Sequence, residues 1–127
     1  MKGDPMKIIG KQFIDGERVA QSASTFSSVD AATGTALPYT FFQAGEAEVQ
    51  LAVAAATAAW ASFRQTAIEE RAVLLETMAA ELDSLGDEFV RVVMQESGLA
   101  EPRVRGERQR TVNQLRMFAQ LLRRGEL

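Results

Sequence analysis

From Gly45 onward the apolar residues of this chain change their spacing from about two to about 3.6, which divides it into a β-rich beginning and a helical remainder. Val49, Val53, Ala56, Trp60 and Phe63 fall alternately four and three apart, on one face of a helix that Ala52, Ala55 and Ala59 widen. Glu46 and Glu48 stand in its first turn, where the helix dipole favours negative charge. A second helix is predicted to open at a capping box, Thr66-Ala67-Ile68-Glu69, to bury Ile68, Ala72, Leu75, Met78, Ala79 and Leu82, and to stop near Leu85-Gly86. Asp87 is expected to cap a continuation that carries Phe89, Val92 and Val93 up to Ser97, with Gly98 as its left-handed end. A last helix opens at Pro102, with Val104, Thr111, Leu115, Phe118 and Leu122 as its apolar face and Gly125 as its end.

Before Gly45 the chain alternates and turns. Asp15-Gly16, flanked by apolar residues within 12–19, supplies the positive φ angles of a type I′ hairpin turn. Residues 25–29 and 36–42 read as extended pieces on either side of turn chemistry at Ala32-Thr33-Gly34-Thr35, with Phe26 and Val29 facing inward. Pro38 has no amide to donate, so the second piece belongs on an edge. The fold class is α+β: a β portion over 1–43 made of a hairpin and edge strands, then a helical portion over 44–127 with three to four α-helices. So little sheet leaves the helices short of a surface to cover, and the chain short of a partner.

Composition narrows the chemistry. The chain has no cysteine and no histidine, which excludes a thiolate nucleophile, a histidine base and zinc sites built from those ligands. Its 127 residues suit one domain. A net charge of -3 argues against nucleic acid as a partner, although Arg103, Arg105, Arg108, Arg110, Arg116, Arg123 and Arg124 face only Glu107 and Glu126 in the tail. The first residues lack the apolar run of a secretory signal, and no later run reaches the ~18 apolar residues of a membrane span. No membrane partner and a cytoplasmic location are the expectation.

The serial order of these pieces resembles a known family. Phe13-Ile14-Asp15-Gly16-Glu17, Thr25-Phe26, Val29-Asp30-Ala31-Ala32-Thr33-Gly34, the alanine-rich helix to Trp60, Arg71 with Leu74-Leu75, and Glu96-Ser97-Gly98 together are similar to the N-terminal quarter of aldehyde dehydrogenases. Ser97-Gly98-Leu99 and the following Arg-Gly-Glu-Arg-Gln-Arg-Thr-Val-Asn-Gln-Leu-Arg-Met-Phe run resemble the branch that oxidises α-ketoglutaric semialdehyde (2,5-dioxopentanoate) to α-ketoglutarate. The resemblance implies that residues 1–127 form the N-terminal part of the cofactor-binding domain of a larger α/β, Rossmann-like fold. It also implies an NAD or NADP cofactor, a cysteine nucleophile, a glutamate base and a homo-oligomer. The glycine-rich strand–turn–helix of a dinucleotide site does not occur in this sequence, and neither does the cysteine, so no cofactor and no dehydrogenase activity are expected of the chain alone.

Two groups of residues become site candidates through that resemblance. Arg103, Gly106, Arg110, Asn113 and Met117 share one helix face, and in the family the matching face lines the tunnel for the aldehyde. Arg110 would bind a carboxylate at the far end of the substrate and Gly106 would leave room one turn earlier; the bland reading is a solvated basic face. The backbone carbonyl of Ser28 and the carboxylate of Glu96 match positions where family members hold a monovalent cation; otherwise Glu96 is a carboxylate near a helix end. Trp60, Phe63, Met78, Met94 and Met117 read as core at helical spacing, and Glu69-Glu70 as helix-start charges. A non-enzymatic helical interaction module that keeps this segment without the chemistry is the alternative function.

Overall fold

The computed structural model describes residues 7–125; the residues at 1–6, where the sequence shows no signal-like run, and at 126–127 lie outside the described residues. The chain separates into two compact units, which part between Gln65 and Thr66, so the first helix clusters with the strands.

The unit at 7–65 holds β1 (Gln12–Ile14), β2 (Glu17–Val19), β3 (Thr25–Val29), β4 (Ala36–Phe42) and α1 (Glu46–Phe63). β1 and β2 pair antiparallel with Ile14 opposite Glu17, and Asp15 and Gly16 both take positive φ, as the Asp-Gly sequence requires. β3 and β4 form a second two-stranded antiparallel sheet whose register slips between Ser27 and Val29. Their link is an Asx turn, in which Asp30 Oδ1 accepts from the amides of Ala32 and Thr33 at 2.9 and 3.0 Å. Gly10 joins the two hairpins. Its carbonyl accepts from the Phe42 amide at 2.9 Å, and its φ of +71° and the Thr40 carbonyl, 1.9 Å from where a Cβ would stand, admit no other residue without movement.

Phe26 and Val29 do not face inward. They are 53% and 50% exposed, because a two-stranded sheet has no layer behind it, although the Phe26 and Phe41 rings do stack at 5.6 Å. The expected inner face of α1 is likewise uncovered: Val49, Val53, Trp60 and Phe63 are all exposed. Its one buried residue is Glu48, and the carboxylate explains why. Glu48 Oε2 accepts from the Gly45 amide at 2.6 Å, closing the start of α1, and Oε1 accepts from the Gln21 amide at 2.8 Å, tying that start to the segment after β2. The Gln21 and Gly45 amides hold its pKa below the usual carboxylate value.

The unit at 66–125 holds α2 (Ile68–Ser84), α3 (Asp87–Ser97) and α4 (Glu101–Arg124). Only the acid half of a capping box forms at α2, and it lies one residue later than expected. Ala67 is the N-cap, and its amide donates to Glu70 at 2.7 Å. Thr66 instead accepts from Arg71 Nε, and Glu69 is drawn to Arg123. Gly86, not Asp87, caps α3, whose end at Gly98 is left-handed as expected. Along α2 only Ala72 and Ala79 are fully buried, while Ile68 and Met78 are about half exposed. On α4 the buried residues are Val104, Val112 and Ala119, a stripe rotated from the expected one by Arg108, which occupies the position between Val104 and Val112. Trp60, Phe63, Met78 and Met117 are therefore not core residues here.

Because the pKa of Glu48 is lower folded than its ordinary value of 4.5, its stabilising contribution is present above that value and is lost as pH falls through the folded one. Amide exchange at Gln21 and Gly45 should accelerate in this acid range. Replacing Glu48 by Gln should flatten that dependence while raising exchange already at pH 7.

Candidate functional site

α4 carries half of the chain's basic residues, and the structure shows what most of its arginines do. Arg103 pairs with Glu107 at 2.7 Å and Arg105 with Glu101 at 2.7 Å, both one turn apart on the same helix. Arg105 also reaches Asp87 at 2.7 Å. Arg108 Nη1 donates to the Leu85 carbonyl at the end of α2. Arg116 meets Asp83 at 3.4 Å, and Arg123 forks between Glu69 and Glu76 at 2.8 and 2.5 Å. These partners, read in order, run backwards along α2, so the two helices are antiparallel. The guanidinium of Arg123 holds both glutamates below the usual carboxylate range, and Arg105 does the same for Asp87.

Arg110 differs. It is exposed and makes no hydrogen bond or ion pair among the described residues. The local reason is legible: the position one turn before it, where Glu101 serves Arg105, is Gly106, and the nearby Glu107 is engaged by Arg103. Asn113, one turn after, accepts from Gln109 at 2.9 Å. Arg103, Gly106, Arg110, Asn113 and Met117 all lie exposed along the side of α4 away from its buried stripe. A Cβ built on Gly106 meets nothing within 4 Å, so no packing within the chain requires a glycine there.

The second candidate pair is split between the units. Ser28 lies at the register slip of β3, with its Oγ buried and without a partner among the described residues. Glu96 is exposed in the last turn of α3. Among the described residues no three His, Cys, Asp or Glu side chains group as a metal site, so a cation would have one carbonyl and one carboxylate from this chain and would need further oxygens. The described residues also include no strand, glycine-rich turn and helix in series, so they do not fit a dinucleotide, and no step through one is assigned to them. Sequence reasoning missed Glu48 and Arg108. The position of Arg108, four after Val104 and four before Val112, was the available sign that it faces inward.

The model of the aldehyde dehydrogenase family matches residues 18–126, and the chain belongs to that family. It is 42% identical over 117 residues to the alpha-ketoglutaric semialdehyde dehydrogenase of Acinetobacter baylyi, covering 92% of this chain and 22% of the relative. Against alpha-ketoglutaric semialdehyde dehydrogenase 2 of Azospirillum brasilense it is 37% identical over 121 residues, 94% of this chain and 23% of the relative. The chain thus spans about a fifth of the length of these relatives, and it matches their N-terminal part. In fold it is similar to a betaine aldehyde dehydrogenase of Staphylococcus aureus crystallised with NAD+, with a TM-score of 0.82, 20% identity and coverage of 88% of this chain and 23% of that one. A NAD-dependent benzaldehyde dehydrogenase of Corynebacterium glutamicum gives a TM-score of 0.82, 24% identity and coverage of 91% and 25%. The four helices and two small antiparallel sheets are those of an N-terminal aldehyde dehydrogenase segment.

Replacing Gly106 by Ala should stabilise α4 by about 0.5–1 kcal/mol, since the added methyl meets open space and removes a helix-interior glycine. Amide exchange along α4 checks it and should slow; faster exchange would mean that the glycine has a packing role within the chain.

Proposed function

We propose that this chain is the N-terminal part of an NAD(P)-dependent aldehyde dehydrogenase that oxidises α-ketoglutaric semialdehyde to α-ketoglutarate, with α4 as a wall of the substrate passage. The observation that carries the reading is Arg110, an exposed guanidinium with no partner among the described residues, one turn from a glycine whose place is open. A guanidinium keeps its charge and offers two parallel donors, so an aldehyde ending in a carboxylate would find a matched, unoccupied site there. Both relatives are alpha-ketoglutaric semialdehyde dehydrogenases by name, which supplies the candidate substrate.

Arg110 binds and orients the remote carboxylate, and Gly106 leaves room for the carbon chain beside it. The nicotinamide cofactor, when bound by the rest of the enzyme, accepts the hydride that the oxidation releases. The nucleophile and the dinucleotide cradle have no counterpart in this chain, which has no cysteine, so the chain alone is inactive. In the same reading the Ser28 carbonyl and the Glu96 carboxylate contribute to a monovalent-cation site, residues 1–127 belong to the cofactor-binding domain, and the enzyme is a cytoplasmic homo-oligomer. No helix of the described residues is long and apolar enough to cross a membrane.

The exposed Val53, Trp60 and Met78 favour this reading over a free-standing helical interaction module, which would have to cover its apolar faces. The purified chain should self-associate or unfold without cooperativity and should turn over no aldehyde. A monodisperse chain with one sharp unfolding transition would favour the module.

In the complete enzyme Arg110→Met should raise KM for the semialdehyde about 10- to 100-fold, the scale of a lost charge-assisted pair, and leave KM for an uncharged aldehyde of equal length unchanged. Equal increases for both substrates would remove Arg110 from the carboxylate site.

A further inference from the structure

Arg105 and Arg108, three apart and so neighbours on one side of α4, both reach the corner where α2 gives way to α3. The corner is short. α2 ends at Ser84, Leu85 is extended, Gly86 caps α3, and Asp87 is the first residue of that helix. Arg105 Nη2 donates to Asp87 Oδ1 at 2.7 Å, and Arg108 Nη1 donates to the Leu85 carbonyl. α2 has no basic residue in its last turn, so Arg108 supplies from another helix the positive charge and the donor that a helix C-terminus wants. Two guanidinium groups thus grip both sides of one glycine.

The apolar contact alone does not fix α4 at this height. Burial is non-directional, and the stripe of Val104, Val112 and Ala119 can hold the helix against α2 through small rotations and slides. Beside the clamp its flank is also open, since a groove of about 280 Å³ lies against Leu82, Phe89, Val93, Val104, Arg108 and Thr111. Hydrogen bonds to a carbonyl and a carboxylate are directional and remove that play. Gly106 and Arg110 interleave with the clamp residues. At about 100° per residue Arg110 stands ~200° around from Arg108, so whatever sets the rotation of the one sets the direction of the other.

We infer that Arg105 and Arg108 are positioning residues for substrate recognition: by clamping the Leu85–Asp87 corner they set the rotation and height of α4, and so aim Arg110 at the substrate carboxylate. This rests on the reading of Arg110 given above. Neither clamp residue touches the substrate; both act through the orientation of a third arginine.

The test compares Arg108→Met, Arg108→Lys and Arg110→Met in the complete enzyme, each with the semialdehyde and with an uncharged aldehyde of equal length. Arg108→Met should raise KM for the semialdehyde about tenfold, below the roughly hundredfold that a full ångström of misplacement can cost, with kcat and the uncharged aldehyde changed less than about twofold. Arg108→Lys, which keeps a donor and a charge for the Leu85 carbonyl, should recover most of the loss. Adding Arg108→Met to Arg110→Met should cost nothing further, because the residue it positions is gone. Should Arg108→Met fail to fold, Asp87→Asn, which weakens only the Arg105 half of the clamp, takes its place with a smaller rise in the same direction. Equal losses on both aldehydes, additivity in the double variant, or no change in any clamp variant would overturn the inference. If Arg110→Met discriminates between the aldehydes and the clamp variants do not, the clamp alone is wrong; if Arg110→Met does not discriminate, the carboxylate reading itself falls.

Discussion

Ala72 and Ala79 of α2, and Val112 and Ala119 of α4, are completely shielded from solvent in a chain whose larger apolar side chains are mostly exposed or only half-buried. Small residues at a helix contact let the two backbones approach closely, and close approach brings the flanking polar groups within reach of one another. The arginines that flank this contact use that reach. Arg108, Arg116 and Arg123 each stand four residues after a buried residue, Val104, Val112 and Ala119 respectively, and each meets a partner on α2 or at its end. Exposed ion pairs contribute little stability one by one, so the closeness of the alanines and valines holds α2 to α4, and the arginines define which way the helices run and where they stop.

The unit at 7–65 rests on a different principle. It has no comparable apolar contact; its two hairpins are joined by polar and backbone bonds through Gly10, Gln12 and Glu48. Gln12 Nε2 donates to the Phe42 carbonyl at 2.7 Å, and Glu48 ties α1 to the segment after β2. Such bonds fix geometry without burying much area, and they leave the side of α1 that carries Val49, Val53, Trp60 and Phe63 open. A surface of that kind is what a segment covering about a fifth of its relatives' length would present before the remainder of a larger fold is laid on it.

This division explains what was legible in the sequence. Features determined within a few residues were read correctly: the Asp15-Gly16 turn, the start of α1 at Gly45, the left-handed end at Gly98, the stop at Gly125, and the extended piece containing Pro38. The errors came where a partner distant in sequence decided the outcome. Glu69 is not the capping acid because α2 starts one residue later, which makes Glu70 the acid that accepts from the N-cap amide and leaves Glu69 to Arg123, 54 residues away. The expected apolar stripe of α4 leaves out the side of Arg108, which a carbonyl 23 residues earlier draws in. The apolar face of α1 was read correctly as a face but wrongly as an interior one, since periodicity records what a helix can bury and not whether anything is there to bury it. Of the site candidates, helical spacing put Gly106 and Arg110 together on one exposed side; their role came from the family resemblance.

Local stability gives something up at those two positions. Along α4 the common arrangement is an arginine with an acid one turn away, as at Glu101 and Arg105 or Arg103 and Glu107. An acid at 106 would give Arg110 the same arrangement, worth about 0.3–0.5 kcal/mol, and any ordinary residue there would spare the helix the ~1 kcal/mol that an interior glycine costs. The chain forgoes both at once, at a place where its own packing asks for neither, since the space beside Gly106 is open. A glycine that seats no neighbouring backbone and an arginine that holds no partner are each a small loss to the helix. Placed one turn apart on the same side, they are a cleared space beside an unspent charge, and local rules broken without a structural return are expected at functional or strained sites.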